Sequence, residues 1–222
     1  MTQRNEPKEY RQPVYTPPAG AADILLIRHG ESEPAHPDRP FPLVDGHGDP
    51  ALHENGHAQA RAIGARLRQE PLSAIYVTTL RRTHQTAAPL LARLGQEFRV
   101  EPDLREVLLG EWEGGLYRQK AAENDPVYAR ARAEYEWGHI PGAETTAQFH
   151  TRVKRGLLRI AAAHPDQRIA AFVHGGVIGA ALSIATGAQP GTFAGAANGS
   201  ISRFVIWGER MIVQGYNDTS HL

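Results

Sequence analysis

Two histidines in this sequence stand in nearly the same local context. His29 follows the apolar residues 24–27 and Arg28, and His174 follows the apolar residues 170–173. Short apolar runs of this kind are typical of buried strands in a parallel sheet. Ligands of open α/β sheets collect at the carboxyl ends of the strands. The pattern therefore predicts that both imidazole rings lie in one crevice at that edge of the sheet.

The residues beside these two histidines suit a bound anion. Arg28 offers a planar fork of N–H donors that matches phosphate oxygens. Gly30 and Gly175 allow backbone N–H groups to come close to a ligand, and a helix that begins near Val177 would direct its positive end at the same place. A single histidine at a strand end is as often an ordinary buried imidazole, but two in matching positions favour a site.

The composition limits the classes of ligand and partner. Lys and Arg together number 24, as do Asp and Glu, so no overall field attracts nucleic acid or an anionic membrane. An anionic substrate would therefore need a local cluster of positive side chains. The sequence contains no cysteine, which excludes disulfides, thiolate catalysis and zinc bound by cysteine.

The N-terminal residues 1–22 contain four prolines and are largely polar. They lack the apolar centre of a signal peptide, and no apolar run in the chain reaches the roughly 18 residues that a membrane span requires. We therefore expect a flexible N-terminal arm, a cytoplasmic location and no membrane partner. The remaining residues 23–222 are long enough for one catalytic domain with a large core.

Short apolar runs typical of strands alternate along the chain with apolar residues at the spacing of a helix. Strands are predicted at residues 23–28, 74–77 and 169–173, with a closing hairpin at 201–207 and 211–216. Helices are predicted at residues 56–68, 82–94, 126–137, 145–164 and 177–186, whereas 33–49 and 102–115 are expected to be irregular. Strands that alternate with helices indicate an α/β fold, a three-layer sandwich in which helices cover both faces of a mostly parallel central sheet.

The segment Arg28-His29-Gly30-Glu31-Ser32 resembles the signature of the histidine phosphatase superfamily, the phosphoglycerate-mutase-like enzymes. Further segments resemble the same family in the same order along the chain, and they are residues 52–60, 78–87, 104–114, 141–144 and 173–176. The triplet Arg-His-Gly alone would be weak evidence, but several collinear segments are specific. The resemblance extends from Asp23 to the C-terminus.

The resemblance implies a division of labour among the matching residues. His29 would be the nucleophile that carries a covalent phosphoryl group, and Glu106 would donate a proton to the leaving group. The residues implied to hold the phosphoryl oxygens are the third catalytic residue, His174, together with Arg28, Arg82, Ser32 and Gly175. No metal ion and no cofactor is expected to take part.

Some of these assignments depend on the resemblance alone. Without it, Glu106 would be interpreted as a loop carboxylate that pairs with Arg105 or caps a turn, and Ser32 as a turn-capping hydroxyl. The sequence has Ala35 where the family often has asparagine, which removes one phosphate donor. Residues 198–200 (Asn-Gly-Ser) either replace that donor or form a turn before the last strand.

Three functions are consistent with these residues. A phosphatase transfers the phosphoryl group of a small phosphorylated metabolite to water, a phosphoglycerate mutase returns it to another hydroxyl, and a scaffold only binds phosphate. Mutases of the family carry a basic, aromatic segment after the acid, whereas residues 107–114 of this chain are apolar and acidic. This difference favours the phosphatase. Competent residues at every proposed catalytic position argue against the scaffold.

Residues 53–57 (His-Glu-Asn-Gly-His) match the HExxH pattern of zinc proteases. In those enzymes the motif lies inside a helix, so that both histidines share one face. Asn-Gly in the middle of a helix is unfavourable, because the glycine alone costs about 1 kcal/mol. We therefore predict a loop followed by the start of a helix, and no protease-type metal site.

Two segments are expected to determine which substrate binds. The loop 33–49 and the helical insert 115–140 both contain arginines and aromatic residues, among them Tyr117 and Arg118. In this family the insert covers the active-site face, so we expect a lid; an ordinary amphipathic helix pair is the alternative. The hairpin at residues 201–216 is expected to form a sheet edge that pairs with a second subunit in a homodimer, unless the N-terminal arm covers it.

Overall fold

In the computed structural model of this chain, residues 9–193 and 195–222 are described. The strands, in chain order, are β1 (Ala22–Arg28), β2 (Leu43–Val44), β3 (His47–Gly48), β4 (Leu72–Val77), β5 (Phe98–Val100), β6 (Arg168–Val173), β7 (Ile201–Trp207) and β8 (Arg210–Asp218). The helices are α1 (Glu54–Arg66), α2 (Arg81–Leu94), α3 (Leu116–Ala122), α4 (Pro126–Glu134), α5 (Thr146–Ala163) and α6 (Gly175–Thr186).

Six strands form the central sheet, in the spatial order β5-β4-β6-β1-β7-β8. The first four run parallel to one another, β7 pairs antiparallel with β1, and β8 pairs antiparallel with β7. Parallel neighbours need a crossover connection, and the helices α1 to α5 lie in the connections between these four strands. The predicted α/β fold with a mostly parallel sheet is confirmed.

Alternate residues of each strand face two separate apolar cores. On β1, Ala22, Ile24 and Leu26 belong to the core that α5 and α6 cover. Leu25 and Ile27 belong to the core that α1 and α2 cover. Successive side chains of a strand point to opposite faces, so a strand that is apolar throughout needs helices on both sides. The three-layer sandwich follows from this pattern.

Several elements differ from the sequence predictions, each for a local reason. The edge strand β5 has exposed side chains and therefore no apolar signal, and β2 and β3 are too short to show a period. Residues 102–104 and 110–112 form single 3₁₀ turns within the segment predicted to be irregular. The helix predicted at 126–137 ends at Glu134, because Tyr135 adopts a left-handed backbone with φ of 52°.

The ends of the sheet bear on two further predictions. Residues 1–8 of the predicted arm lie outside the described residues, 9–20 form no regular element, and β1 begins at Ala22 within the predicted arm. The hairpin strand β8 is an outer strand, so an edge of the kind that pairing requires is present, and the homodimer stays a prediction.

Among the described residues, no helix is both long enough and apolar enough to cross a bilayer.

Loss of apolar volume from the core under α1 and α2 should destabilise the protein. Ile63 of α1 is fully buried there, so Ile63→Ala should lower the free energy of unfolding by about 2–5 kcal/mol through lost burial and a residual cavity. As a control, Leu43→Ala removes a side chain that is 56% exposed and should change it by less than about 0.5 kcal/mol. Urea unfolding followed by circular dichroism measures both, and equal losses would contradict the assignment of this core.

Candidate active site

The two histidines lie side by side because their strands are neighbours. β1 and β6 pair in parallel with Arg28 opposite Val173, and the His29 N–H donates to the Val173 carbonyl oxygen at 3.0 Å. Each histidine directly follows its strand, so the two rings meet at the carboxyl edge of the sheet. The His29 and His174 ring centroids are 5.2 Å apart in an edge-to-face arrangement, as the repeated strand-histidine pattern predicted.

Burial fixes His29 as a neutral imidazole with a defined tautomer. Its Nδ1 lies 2.7 Å from the Gly30 carbonyl oxygen, and because a carbonyl only accepts, Nδ1 carries the proton. Its Nε2 accepts a hydrogen bond from Arg82 Nε at 3.3 Å. Burial, followed by the charges of Arg82 and Arg28, lowers the pKa of His29 well below the usual value of 6.5. Nε2 is therefore unprotonated at neutral pH, as a nucleophile must be.

Positive charge gathers around His29 without carboxylate partners. Arg28, Arg82 and Arg118 donate to neutral acceptors, and none of the three forms an ion pair within the residues described. Arg81, next in the chain to Arg82, is instead neutralised by Asp49 at 2.8 Å. Burial lowers the pKa of Arg82 to about 10, which leaves it charged at neutral pH. The charge of Glu106 acts on Arg28 and Arg82 from a distance, but a cationic cluster without direct ion pairs in a cleft is typical of an anion-binding site.

His174 is completely buried and is bonded through only one ring nitrogen. Its Nε2 lies 3.0 Å from Thr78 Oγ1, whereas its Nδ1 has no hydrogen-bond partner in the part of the chain that the structure describes. Burial, and then the charge of Arg82, lowers the pKa of His174 well below 6.5. Buried polar atoms without partners are uncommon in folded proteins, so this nitrogen beside His29 is a candidate ligand contact, although His174 lies behind the residues that line the cavity.

Glu106 faces the N-terminus of α6. Its Oε2 accepts the N–H of Gly176 at 3.1 Å, and its Oε1 accepts the N–H of Val107 at 3.0 Å. A Cβ at position 176 would lie 2.3 Å from Glu106 Oε1, so this close approach requires glycine. The alternative pairing of Glu106 with Arg105 is wrong, because the Arg105 guanidinium binds Asp45 at 2.9 Å.

The two glycines of the expected phosphate site differ in their surroundings. The N–H of Gly30 donates to Thr86 Oγ1 at 3.1 Å, and a Cβ at Gly30 would lie 2.5 Å from the Gly56 carbonyl oxygen. Gly30 therefore allows α1 to pack closely and, contrary to expectation, uses its N–H within the protein. Gly175 lines the cavity at the start of α6, where a Cβ would lie 3.2 Å from Arg28 Nε.

Ser32 links the phosphate site to the insert. Its Oγ accepts a hydrogen bond from Arg118 Nη2 at 2.7 Å, so the hydroxyl proton of Ser32 remains available to another acceptor. Arg118 also donates to the Glu33 carbonyl oxygen at 2.8 Å, and its guanidinium lies 5.3 Å from the centre of the Phe41 ring. Helix α3 of the insert is therefore fastened to the loop 33–49 directly beside the site.

A cavity of about 870 Å³ contains the site. Its lining includes His29, Arg28, Arg82, Glu106 and Ser32, together with residues of the insert and of the loop 33–49. Aromatic side chains of the insert and its flanks also line it, and they are Trp112, Tyr117, Tyr135 and Trp137. The two segments that the sequence assigned to substrate selection thus border the cavity, while the movement of a lid stays a prediction.

Residues 198–200 form a turn that also reaches His29. Gly199 has a φ of 77°, and the Ser200 N–H donates to the Ala197 carbonyl oxygen at 3.0 Å. Asn198 lines the cavity, and its Nδ2 donates to the His29 main-chain carbonyl oxygen at 2.9 Å. The sequence posed turn and site residue as alternatives, but Asn198 belongs to a turn and holds the backbone of His29.

Sequence reasoning missed several contacts that fix the site. The Thr78 hydroxyl meets His174, the Gly48 carbonyl oxygen accepts from Arg82 at 3.0 Å, and Glu113 Oε2 accepts the Gly48 N–H at 2.6 Å. The Glu113 carboxylate also accepts the N–H of Leu109 at 2.9 Å. A carbonyl oxygen leaves no mark in a sequence, and nothing in residues 107–114 showed that Glu113 ties this segment to β3.

The residues 53–57 straddle the start of α1. His53 is the N-cap residue, its Nδ1 accepts the Asn55 N–H at 3.3 Å, and Glu54 is the first helical residue. The predicted loop followed by a helix start is confirmed, although the helix begins two residues before the predicted Gly56. Within residues 9–193 and 195–222, no three His, Asp or Glu side chains are grouped to hold a metal ion.

The lowered pKa values of the two histidines predict a stability that declines in acid. Below pH 6.5, His29 takes up a proton in the unfolded chain but stays unprotonated in the folded protein. The free energy of unfolding should therefore fall by up to about 1.4 kcal/mol per pH unit for this group. His29→Asn removes the titrating group, so its stability relative to wild type should rise as the pH falls from 6.5. Urea unfolding at several pH values measures this difference, and a constant difference would mean that His29 titrates normally.

Comparison with known proteins places this geometry in a family. A profile of the histidine phosphatase superfamily (branch 1) matches residues 24–219. Phosphoglycerate mutase-like protein 4 of Arabidopsis thaliana is 30% identical over 207 residues, which cover 90% of this chain and 87% of that protein. The metal-independent phosphoserine phosphatase of the same plant is 31% identical over 205 residues, covering 90% and 83%.

A solved structure agrees with the sequence relatives. The mycobacterial glucosyl-3-phosphoglycerate phosphatase superposes with a TM-score of 0.73 at 25% identity, over 90% of this chain and all of that one. The matched range spans both strand-end histidines and Glu106. This chain belongs to the histidine phosphatase superfamily (branch 1), a family of phosphatases and phosphoglycerate-mutase-like enzymes.

Proposed function

We propose that this protein is a phosphomonoesterase that hydrolyses a small phosphorylated metabolite through a phosphohistidine on His29. The observation that carries the proposal is the state of His29 Nε2, which is unprotonated and faces Arg82 in a cluster of arginines that form no ion pair within the described residues. A phosphoryl group is an anion whose transfer needs pre-aimed positive donors and an in-line nucleophile. The site offers both in one cavity.

In the first step, the lone pair of His29 Nε2 forms a bond to phosphorus while the phosphorus–oxygen ester bond breaks. Arg28 and Arg82 hold the non-bridging oxygens, with the Ser32 hydroxyl as a further donor. His174 Nδ1 joins them as a donor in the tautomer in which the Thr78 hydroxyl donates to Nε2. The electron pair of the broken bond stays on the leaving oxygen, which takes a proton from the Glu106 carboxyl group. Proton transfer of this kind contributes about 10²–10⁴-fold in rate.

In the second step, water attacks the phosphorus of phospho-His29 and the phosphorus–nitrogen bond breaks. Glu106, now a carboxylate, takes the proton of the attacking water, which restores the carboxyl group for the next turnover. The negative charge of a bound phosphate favours a proton on a neighbouring carboxylate, so substrate binding itself prepares Glu106. The imidazole of His29 leaves as the neutral group that its burial favours.

The segment after Glu106 supports hydrolysis over mutase activity. Val107 is buried in the core, Trp112 packs into the apolar cluster of the insert, and the Glu113 carboxylate binds backbone N–H groups. These residues are therefore committed to packing and to the backbone, and residues 107–114 contain no basic side chain for a second acidic group of a phosphoglycerate. Isomerisation of phosphoglycerate without release of phosphate would instead show a mutase.

Replacement of the nucleophile tests the mechanism. His29→Asn should lower kcat/KM for p-nitrophenyl phosphate by at least about 10³-fold, because without Nε2 no covalent intermediate forms. Wild-type protein quenched in alkali during turnover should carry one phosphoryl group, which mass spectrometry detects and the variant lacks. Both rates are measured with EDTA present.

His57→Asn is the matched control, since His57 is exposed on α1 and belongs to the HExxH-like segment. It should keep wild-type turnover. If turnover needed an added metal ion and survived His29→Asn, the phosphohistidine mechanism would be wrong. If neither hydrolysis nor isomerisation of any phosphoester occurred, the protein would be a phosphate-binding scaffold.

The insert should control substrate affinity through Arg118. Arg118→Ala removes the donors to Ser32 and Glu33 and one positive charge from the cavity, so KM for phosphoesters should rise about 10-fold. Lys120→Ala is the control on the same helix, because Lys120 pairs with Asp125 at 3.0 Å on the surface. Steady-state kinetics with phosphoserine, phosphoglycerates and sugar phosphates measures both, and an unchanged KM for all of them in Arg118→Ala would refute the lid.

A further inference from the structure

We infer that Arg152 and Glu144 form a clamp that positions the proton donor Glu106, an inference that rests on the proposed function. Arg152 lies on α5, and Glu144 precedes that helix. Both side chains are largely buried, at 16% and 13% exposed, yet neither belongs to the cavity lining. Their hydrogen bonds therefore reach the site through the loop that carries Glu106.

Arg152 binds the backbone of this loop on the side that leads to the acid. Its Nη1 donates to the carbonyl oxygens of Asp103 at 3.0 Å and Arg105 at 2.7 Å. Its Nη2 donates to the carbonyl oxygen of Glu106 itself at 2.7 Å. Hydrogen bonds from a charged donor are stronger than neutral ones, so one planar group fixes three carbonyls of an irregular segment.

Glu144 binds the same loop on the far side of the acid. Its Oε1 accepts the N–H of Leu108 at 2.8 Å, and its own N–H donates to the Leu108 carbonyl oxygen at 3.1 Å. The carboxylate also accepts from Arg152 Nε at 3.0 Å and pairs with Arg152 Nη2. The ion pair thus holds the backbone before and after Glu106 in one connected network.

Two glycines allow the loop to pack closely against the elements that carry Arg152 and Glu144. A Cβ at Gly156 of α5 would lie 3.0 Å from Asp103 Cβ. A Cβ at Gly110 would lie 2.2 Å from the carbonyl carbon of Gly142. The guanidinium of Arg152 is itself seated 4.7 Å from the centre of the buried Phe149 ring. The loop is therefore packed as well as hydrogen-bonded, which limits the freedom of Glu106.

The geometry of the acid, and not that of the phosphate site, should depend on this clamp. The Glu106 carboxylate meets Gly176 N–H at the start of α6, so the loop backbone sets how the acid faces the leaving group. A general acid acts only within hydrogen-bond reach of the oxygen that it protonates. His29 and Arg82 take their positions from β1 and α2, which the clamp does not touch.

Leaving-group dependence tests this positioning role. Arg152→Lys keeps the charge but loses the planar fork, so kcat/KM for an alkyl phosphate, whose alkoxide must be protonated as it leaves, should fall about 10–100-fold. For p-nitrophenyl phosphate, whose phenolate departs without a proton, the loss should stay below about threefold. A general structural defect would lower both rates equally.

Arg155→Lys is the matched control, one turn further along α5. Arg155 pairs with the Asp103 carboxylate at 2.7 Å, is 59% exposed, and should leave both rates unchanged. Glu144→Gln is a second test of the clamp in case Arg152→Lys does not fold, since it removes the other charge of the pair and should show the same selective loss. Circular dichroism reports the folding of each variant.

Glu106→Gln separates failure of this inference from failure of the proposed function. It should lower the alkyl phosphate rate far more than the p-nitrophenyl phosphate rate. If it did not, Glu106 would not be the proton donor, and the proposed function and the clamp inference that rests on it would both be wrong. If Glu106→Gln were selective but the folded clamp variants lost both rates equally or lost neither, only the positioning role of Arg152 and Glu144 would be overturned.

Discussion

The parallel pairing of β1 with β6 is the contact on which the site depends. Each of these strands is directly followed by a histidine, and the register that sets Arg28 opposite Val173 places the two rings edge to face. The pairing forms because both strands are apolar on both faces and must be covered by helices and by neighbouring strands. Burial of the central strands therefore also buries the imidazoles, and their neutral state follows from that burial.

A buried cluster of positive charge is unfavourable without a counterion, and the structure concentrates that cost at one place. Several arginines elsewhere are matched with carboxylates, as Arg168 is with Asp23 and Arg81 with Asp49. Around His29, the guanidinium groups meet carbonyl oxygens, a hydroxyl and an imidazole. The chain has a formal net charge of zero, so its affinity for an anion comes from this unequal distribution and not from total charge.

Glu106 reaches the same cavity by a different route from that of His29. His29 is placed by strand pairing, whereas Glu106 lies on an irregular loop whose backbone is held by side chains of α5 and of the segment before it. Loops tolerate this role only when their polar backbone groups find partners. The position of His29 is thus fixed by the sheet, whereas that of Glu106 depends on a few charged hydrogen bonds.

The sequence by itself determined the alternation of strands and helices, the two strand-end histidines and, through resemblance, the identity of Glu106 and Arg82. These features are readable because burial leaves a periodic apolar pattern and because the motifs are local. The tertiary structure alone decided that Gly30 turns its N–H to Thr86, that Asn198 holds the His29 backbone and that Arg152 grips the acid loop. Such contacts join residues distant in the chain, often through carbonyl oxygens that every residue carries, so no residue type or spacing predicts them.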